Sequence, residues 1–197
     1  MKRFITFFAI SFLVAGCATR PAKPTRNLGD ACAITARNAD WVDPMFDAAN
    51  QWKVSPGIIL AFMRQESGFR HDARPIDKNG RRLSSALGYS QALDGTWALY
   101  ERENGQGKRK RFRDSADFIG WYLDHLSKTN RIAKTDPKNL YLAYHEGPGG
   151  YRRGTYNGKS WLLTVAERVS ANAQLYDSQL SHCERRKMRQ YARGADN

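Results

Sequence analysis

The chain has 197 residues, 41% hydrophobic, 12% aromatic and 26% charged, which suits one packed domain plus a short targeting segment and excludes a wholly disordered chain. Its formal net charge of +13 admits a large anionic partner, and nucleic acid, anionic lipid and acidic cell-wall polymer all satisfy that condition.

At the N-terminus, Lys2 and Arg3 precede an apolar run from Phe4 to Ala15 that is too short to cross a bilayer and has the shape of a signal peptide. The segment Leu13-Val14-Ala15-Gly16-Cys17 follows. It resembles the lipobox of bacterial lipoproteins, with Val14 where leucine is usual and Leu13 one step earlier. The resemblance implies a signal peptide over residues 1–16, cleavage before Cys17, and a lipid on Cys17 as the membrane anchor. Loss of Lys2 and Arg3 lowers the formal charge from +13 to +11. Export makes nucleic acid the wrong partner and places the protein in the cell envelope, with Ala18 compatible with the periplasmic face of an outer membrane. Residues 17–39 read as lipidated cysteine and flexible tether, small, basic and proline-containing up to about Asn27. The two remaining cysteines, Cys32 and Cys183, suit one disulfide in an oxidising compartment. Loop-entropy models value so long a closure at roughly 4 to 5 kcal/mol before strain.

Helical signals then recur without strand signals. Asp43-Pro44 predicts a cap and first helical position, with Met45, Ala49 and Trp52 on one face; Ser55-Pro56 predicts a second start leading into Ile58 to Glu66. Further starts are expected at Asp94, at Asp114 or Ser115, and at Asp136-Pro137. Ile119, Tyr122, Leu123 and Leu126 repeat at helical spacing, and a last apolar helix is expected over residues 161–176. Segments 67–87 and 105–113, rich in charge and glycine, predict surface loops, and Lys108-Arg109-Lys110-Arg111 reads as a solvated run. The basic tail, residues 181–197, reads likewise. The expected fold is mainly α, with little or no sheet, and the main domain spans residues 40–180.

In the second of these helices Ile59, Phe62, Met63 and Glu66 fall at i, i+3, i+4 and i+7, so that a carboxylate ends an apolar face. Desolvation there would raise its pKa, as a general acid requires. Spacing alone leaves open that Glu66 swings to solvent or pairs with Arg70. Three separated stretches sharpen the reading: Gln65-Glu66-Ser67-Gly68-Phe69, then Gly88-Tyr89-Ser90-Gln91 before a helix with Thr96 and Trp97, then Ala143-Tyr144-His145-Glu146-Gly147-Pro148-Gly149. In that order they resemble the soluble-lytic-transglycosylase (SLT) family, related in fold to goose-type lysozyme, over about residues 45–176.

The resemblance implies a helical, lysozyme-like domain with a cleft that cuts peptidoglycan glycan strands without metal or other cofactor, as a monomer. It implies Glu66 as acid and then base, Tyr144 positioning that glutamate, and Ser67, Tyr89, Ser90 and Gln91 along the sugar chain. His145 and Glu146 join that substrate-binding set while departing from the family's Asn-Ala, as Ser90 departs from its methionine. Either the pair faces solvent or it alters the cleft, where Glu146 could orient a water and favour hydrolysis. No second carboxylate stands at a spacing that assigns it as nucleophile. The implied product is a 1,6-anhydromuramoyl end. A hydrolytic muramidase using the same Glu66, and a non-catalytic wall-binding lipoprotein, remain as alternatives.

Overall fold

The computed structural model describes residues 27–195, of which 184–195 as backbone alone. The signal segment and Cys17 lie outside the described residues. Among those described there are seven α-helices and no strand beyond two isolated bridges, Ile76 with Arg82 and Leu87 with Ala92. Among the described residues no helix is long and apolar enough to cross a membrane.

The centre of the molecule is α3 (Pro56–Ser67). Ser55 Oγ accepts from the Ile58 N–H at 3.2 Å and Pro56 takes the first helical position, as the sequence predicts. From Ile58 to Met63 every side chain is buried, so this helix is apolar all round and has neighbours on all sides. Its most extensive partner is α7 (Ser160–Ala195); α2 (Val42–Trp52) pairs chiefly with α5 (Phe112–Asn130), and α6 (Pro137–Arg152) lies against both α5 and α7. The short α4 (Asp94–Asn104) packs on α5 through an aromatic cluster of Trp97, Tyr100, Phe118 and Trp121, with ring centroids 5.1 to 5.8 Å apart.

Several boundaries differ from expectation. The α2 helix begins at Val42, so Asp43 and Pro44 are its second and third residues rather than its cap and first position. The α5 helix begins at Phe112 rather than Asp114 or Ser115, because Asp114 is turned back to bind Arg111 at 2.8 Å and the Lys108 N–H at 2.7 Å. The last helix runs on through the basic tail to Ala195.

Two larger corrections concern segments read as tether and solvated loop. Residues 31–37, placed within the tether, form α1 (Ala31–Arg37), capped by Asp30, with Ala31 and Ile34 fully buried. Partners distant in sequence hold it: the Ala31 N–H donates to Gln179 Oε1 at 2.8 Å, and Tyr176 donates to the Leu28 carbonyl. Cys32 and Cys183 are joined in a disulfide across 151 residues, with Cα atoms 6.0 Å apart. In the run Lys108 to Arg111, Arg109 is no solvated cation. Its guanidinium donates to the carbonyls of Ser85 at 3.0 Å and Ala92 at 2.9 Å, and to Asp94 at 2.6 Å. A carbonyl-rich loop attracts a planar five-donor group, and Arg109 thereby clamps the segment that carries Gly88 to Gln91.

Candidate active site

Glu66 stands in the last turn of α3, bonded to Tyr141 of α6, and its neighbour Ser67 is bonded to the 88–91 segment. The residue is half-buried, and enough protein surrounds its carboxyl that burial pushes the pKa from 4.5 to about 7. One hydrogen bond opposes that rise: the Tyr141 hydroxyl donates to Glu66 Oε1 at 2.9 Å. Desolvation prevails, so near neutrality the group exchanges its proton readily, as an acid that later serves as base must.

The tyrosine at the carboxyl is not the expected one. Tyr144 lies one helical turn further along α6, and its hydroxyl donates to the Ser90 carbonyl at 2.6 Å. Both tyrosine rings pack edge-on against Phe62, one turn before Glu66, with centroids 5.3 Å away in each case. Tyr141 therefore touches the acid, while Tyr144 ties the neighbouring loop to α6. Burial, and next the charge of Glu66, raise the pKa of both phenols, so both remain hydroxyl donors through the neutral range.

The 88–91 segment acts as a frame. Gly88 has φ +77°, and a Cβ there would stand 2.2 Å from the Arg109 carbonyl oxygen, so both conformation and space require glycine. Ser67, expected at the sugar chain, is buried; its hydroxyl is shared between the carbonyls of Met63 at 3.0 Å and Tyr89 at 2.9 Å, joining the end of α3 to this segment. The Tyr89 ring is buried edge-on against the stacked rings of Trp41 and Phe112, where burial pushes its phenol up to about 12. Ser90 is fully buried, and its hydroxyl has no hydrogen-bond partner. The Gln91 amide nitrogen donates to the carbonyls of Ala73 at 2.9 Å and Gly88 at 2.8 Å. Ser67, Tyr89 and Ser90 are buried in the frame of this loop, whereas Gln91 is half-buried and tied to the loop through its amide nitrogen.

His145 and Glu146 form a separate cluster. The Glu146 side chain is only 5% exposed while His145 is exposed, so of the two only the histidine faces solvent. Its Oε1 accepts from Lys159 Nζ at 2.6 Å and meets His145 Nδ1 at 2.9 Å, while Oε2 accepts from Thr155. Burial alone would raise the Glu146 pKa; the bonds from Lys159, Thr155 and His145 outweigh it and bring the carboxyl down to about 2. Three bonds thus engage both oxygens of Glu146 and hold the carboxylate to its own cluster. Gly147 follows with φ 70° and ψ 165°, a conformation of glycine before proline, and kinks α6.

Other carboxylates are engaged elsewhere: Asp117 accepts from Trp52 at 2.7 Å and Tyr100 at 2.6 Å, and Asp124 pairs with Lys128 at 2.7 Å and Lys134 at 2.5 Å. Among the described residues, no three of His, Cys, Asp and Glu stand together as a metal could use them. Sequence reasoning missed Tyr141 and Arg109. Tyr141 precedes Tyr144 by three residues on one helix face, which is the signal that could have found it; Arg109 had none.

A carboxyl near the end of a buried helix has its proton affinity raised by burial and accepts a hydrogen bond from a tyrosine of a crossing helix, an arrangement able to give and take a proton near neutrality. The profile of the transglycosylase SLT domain family matches residues 5–183, and the chain belongs to that family. Its mainly α, lysozyme-like architecture is the one the three motifs imply. Among solved structures it is similar to the X-ray structure of an inactive mutant of the lytic transglycosylase Slt from Pseudomonas aeruginosa, at 20% identity and a TM-score of 0.44, over 76% of this chain and 23% of that one. The chain thus spans about a quarter of the length of that relative. No curated protein matches it.

Proposed function

We propose that this protein is a peptidoglycan lytic transglycosylase in which Glu66 is the single acid and base. The observation that carries this reading is the Glu66 carboxyl, enclosed at the end of α3 and bonded by Tyr141, within an SLT domain. Glu66, holding its proton, delivers it to the oxygen linking N-acetylmuramic acid to N-acetylglucosamine. As that bond breaks, the substrate's own groups stabilise the cationic centre. The Glu66 carboxylate then removes the proton of the muramoyl 6-hydroxyl, which attacks within the same sugar and closes a 1,6-anhydro ring. Tethering of that hydroxyl beside the reacting carbon replaces a captured water with an intramolecular nucleophile.

The occupied oxygens of Glu146 favour this outcome over hydrolysis, since no second carboxylate is bonded at Glu66 to activate a water. The basic balance of the chain suits an acidic wall polymer. We further propose export with a lipid on Cys17, anchoring the domain at the periplasmic face of an outer membrane. The test of activity is digestion of purified peptidoglycan by the parent protein and Glu66→Gln, with products weighed by mass spectrometry. Anhydro ends from the parent alone support the reading. Labelling with a fatty acid, lost in Cys17→Ser, tests the anchor.

A further inference from the structure

The His145–Glu146 pair and an exposed tryptophan together have no role in the chemistry above. On α6, Tyr141 and His145 are four residues apart and share a face, so His145 stands about 6 Å along the helix from the tyrosine that bonds Glu66. Glu146 ties this turn of α6 to Thr155 and Lys159, in the segment that leads into α7. The tie sets the second residue of α7, Trp161, against the His145 ring, with centroids 5.3 Å apart and planes at 77°.

Trp161 is 56% exposed and is the one aromatic among the five large hydrophobic side chains that stand out of the described surface. Seven residues further along α7, on the same face, Arg168 donates to Gln65, the neighbour of Glu66, at 3.1 Å. Two helices therefore lead independently from the Glu66 region to the His145–Trp161 pair. The pair combines an indole open to solvent with an imidazole whose Nδ1 is held on Glu146, which leaves Nε2 as the nitrogen able to meet a ligand. Sugars present apolar C–H faces edged by hydroxyl and amide groups. A flat indole with a polar nitrogen beside it is complementary to such a ring, and the bonds of Glu146 to His145, Thr155 and Lys159 lower the entropy cost of assembling it.

We propose that His145 and Trp161, held in place by Glu146, form a glycan-binding subsite that takes one N-acetylhexosamine ring of the strand being cut, away from the scissile bond. Trp161 lies under the apolar face of the ring and His145 Nε2 meets a polar substituent. This inference rests on the reading of the protein as a peptidoglycan-cutting enzyme. Glu146 is a positioning residue here, and the His-Glu pair in place of Asn-Ala becomes a matched change: the glutamate fixes the loop that presents the tryptophan.

The experiment is calorimetric titration of purified, peptide-free glycan strands into Glu66→Gln and into the same protein carrying Trp161→Ala, Trp161→Tyr or Leu175→Ala. Wall digestion by the parent protein is run alongside, and thermal melts confirm folding. The subsite predicts roughly five- to tenfold weaker binding for Trp161→Ala, recovery of most of the loss with Trp161→Tyr, and no change for Leu175→Ala, an exposed side chain elsewhere on α7. Equal affinity for Trp161→Ala and its parent, with the wall digested normally, would overturn the subsite and leave the enzyme reading intact. A parent protein that neither binds strands nor digests wall would overturn both. Should Trp161→Ala melt early, Trp161→Tyr decides: affinity equal to Leu175→Ala supports stacking, and a full tenfold loss contradicts it.

Discussion

The hydroxyl of Tyr141 donates to Oε1 of Glu66 across 2.9 Å, from the first half of α6 to the last turn of α3. Burial raises the proton affinity of the carboxyl and this bond restrains it, so the pair sets the pH at which the site can both give and take a proton. Removing the hydroxyl while keeping the ring separates the two effects. Tyr141→Phe should raise the Glu66 pKa further and move the alkaline limb of the pH–rate profile to higher pH, while lowering the rate several-fold at neutrality through poorer orientation. A profile identical to the parent would show that the bond does not tune the acid.

The same burial makes a prediction about stability. Glu66 titrates near 7 in the folded protein and near 4.5 when unfolded, so the unfolded chain releases its proton first as pH rises. The resulting penalty is absent below about pH 4.5, grows between the two values, and reaches up to about 3 kcal/mol above pH 7. Glu66→Gln keeps the shape and cannot ionise. Denaturant melts should show it more stable than the parent at pH 8 and equal to it at pH 4, with equal stability at both values counting against an enclosed carboxyl.

Glu146 has the opposite sign. Its folded pKa of about 2 lies below the ordinary 4.5, so its contribution is fully present above about pH 4.5 and is lost as pH falls toward 2. Glu146→Ala should cost about 1 to 3 kcal/mol near neutrality, since Lys159, Thr155 and His145 lose a shared, mostly buried acceptor. The ratio of anhydro to hydrolysed product should not change. A shift of that ratio toward the anhydro form would restore Glu146 as a water-orienting residue.

Reduction of the Cys32–Cys183 bridge should lower stability by up to roughly 4 to 5 kcal/mol, because a closure of 151 residues removes much freedom from the unfolded chain. The loss should appear first as exposure of α1, which α7 also holds through hydrogen bonds of Gln179 and Tyr176 with residues 28–31 and through packing. Hydrogen exchange at residues 31–37 with and without reductant measures it. Unchanged protection would mean that packing alone holds α1.

What was legible in the sequence was local. Ser55-Pro56 and Asp136-Pro137 open helices because cap and proline act within one turn, and Asp136 accepts from the Asn139 N–H at 3.0 Å as such a cap should. Glu66 could be chosen because its helix carries an apolar face and three motifs agree about it. The misses share a cause in distance. Helix α1 looks like linker because it is held by Gln179 and a disulfide from the far end of the chain. Arg109 looks solvated because its acceptors lie 15 to 24 residues earlier. The choice between Tyr141 and Tyr144 depends on how α6 crosses α3, and one helix face carries both. Burial of Glu146 depends on a lysine thirteen residues later, folded back by the kink at Gly147.

Product analysis of purified peptidoglycan treated with the parent protein and with Glu66→Gln tests the central claim most directly. The account predicts soluble fragments with 1,6-anhydromuramoyl ends from the parent and none from the variant. Equal digestion by both proteins would contradict it.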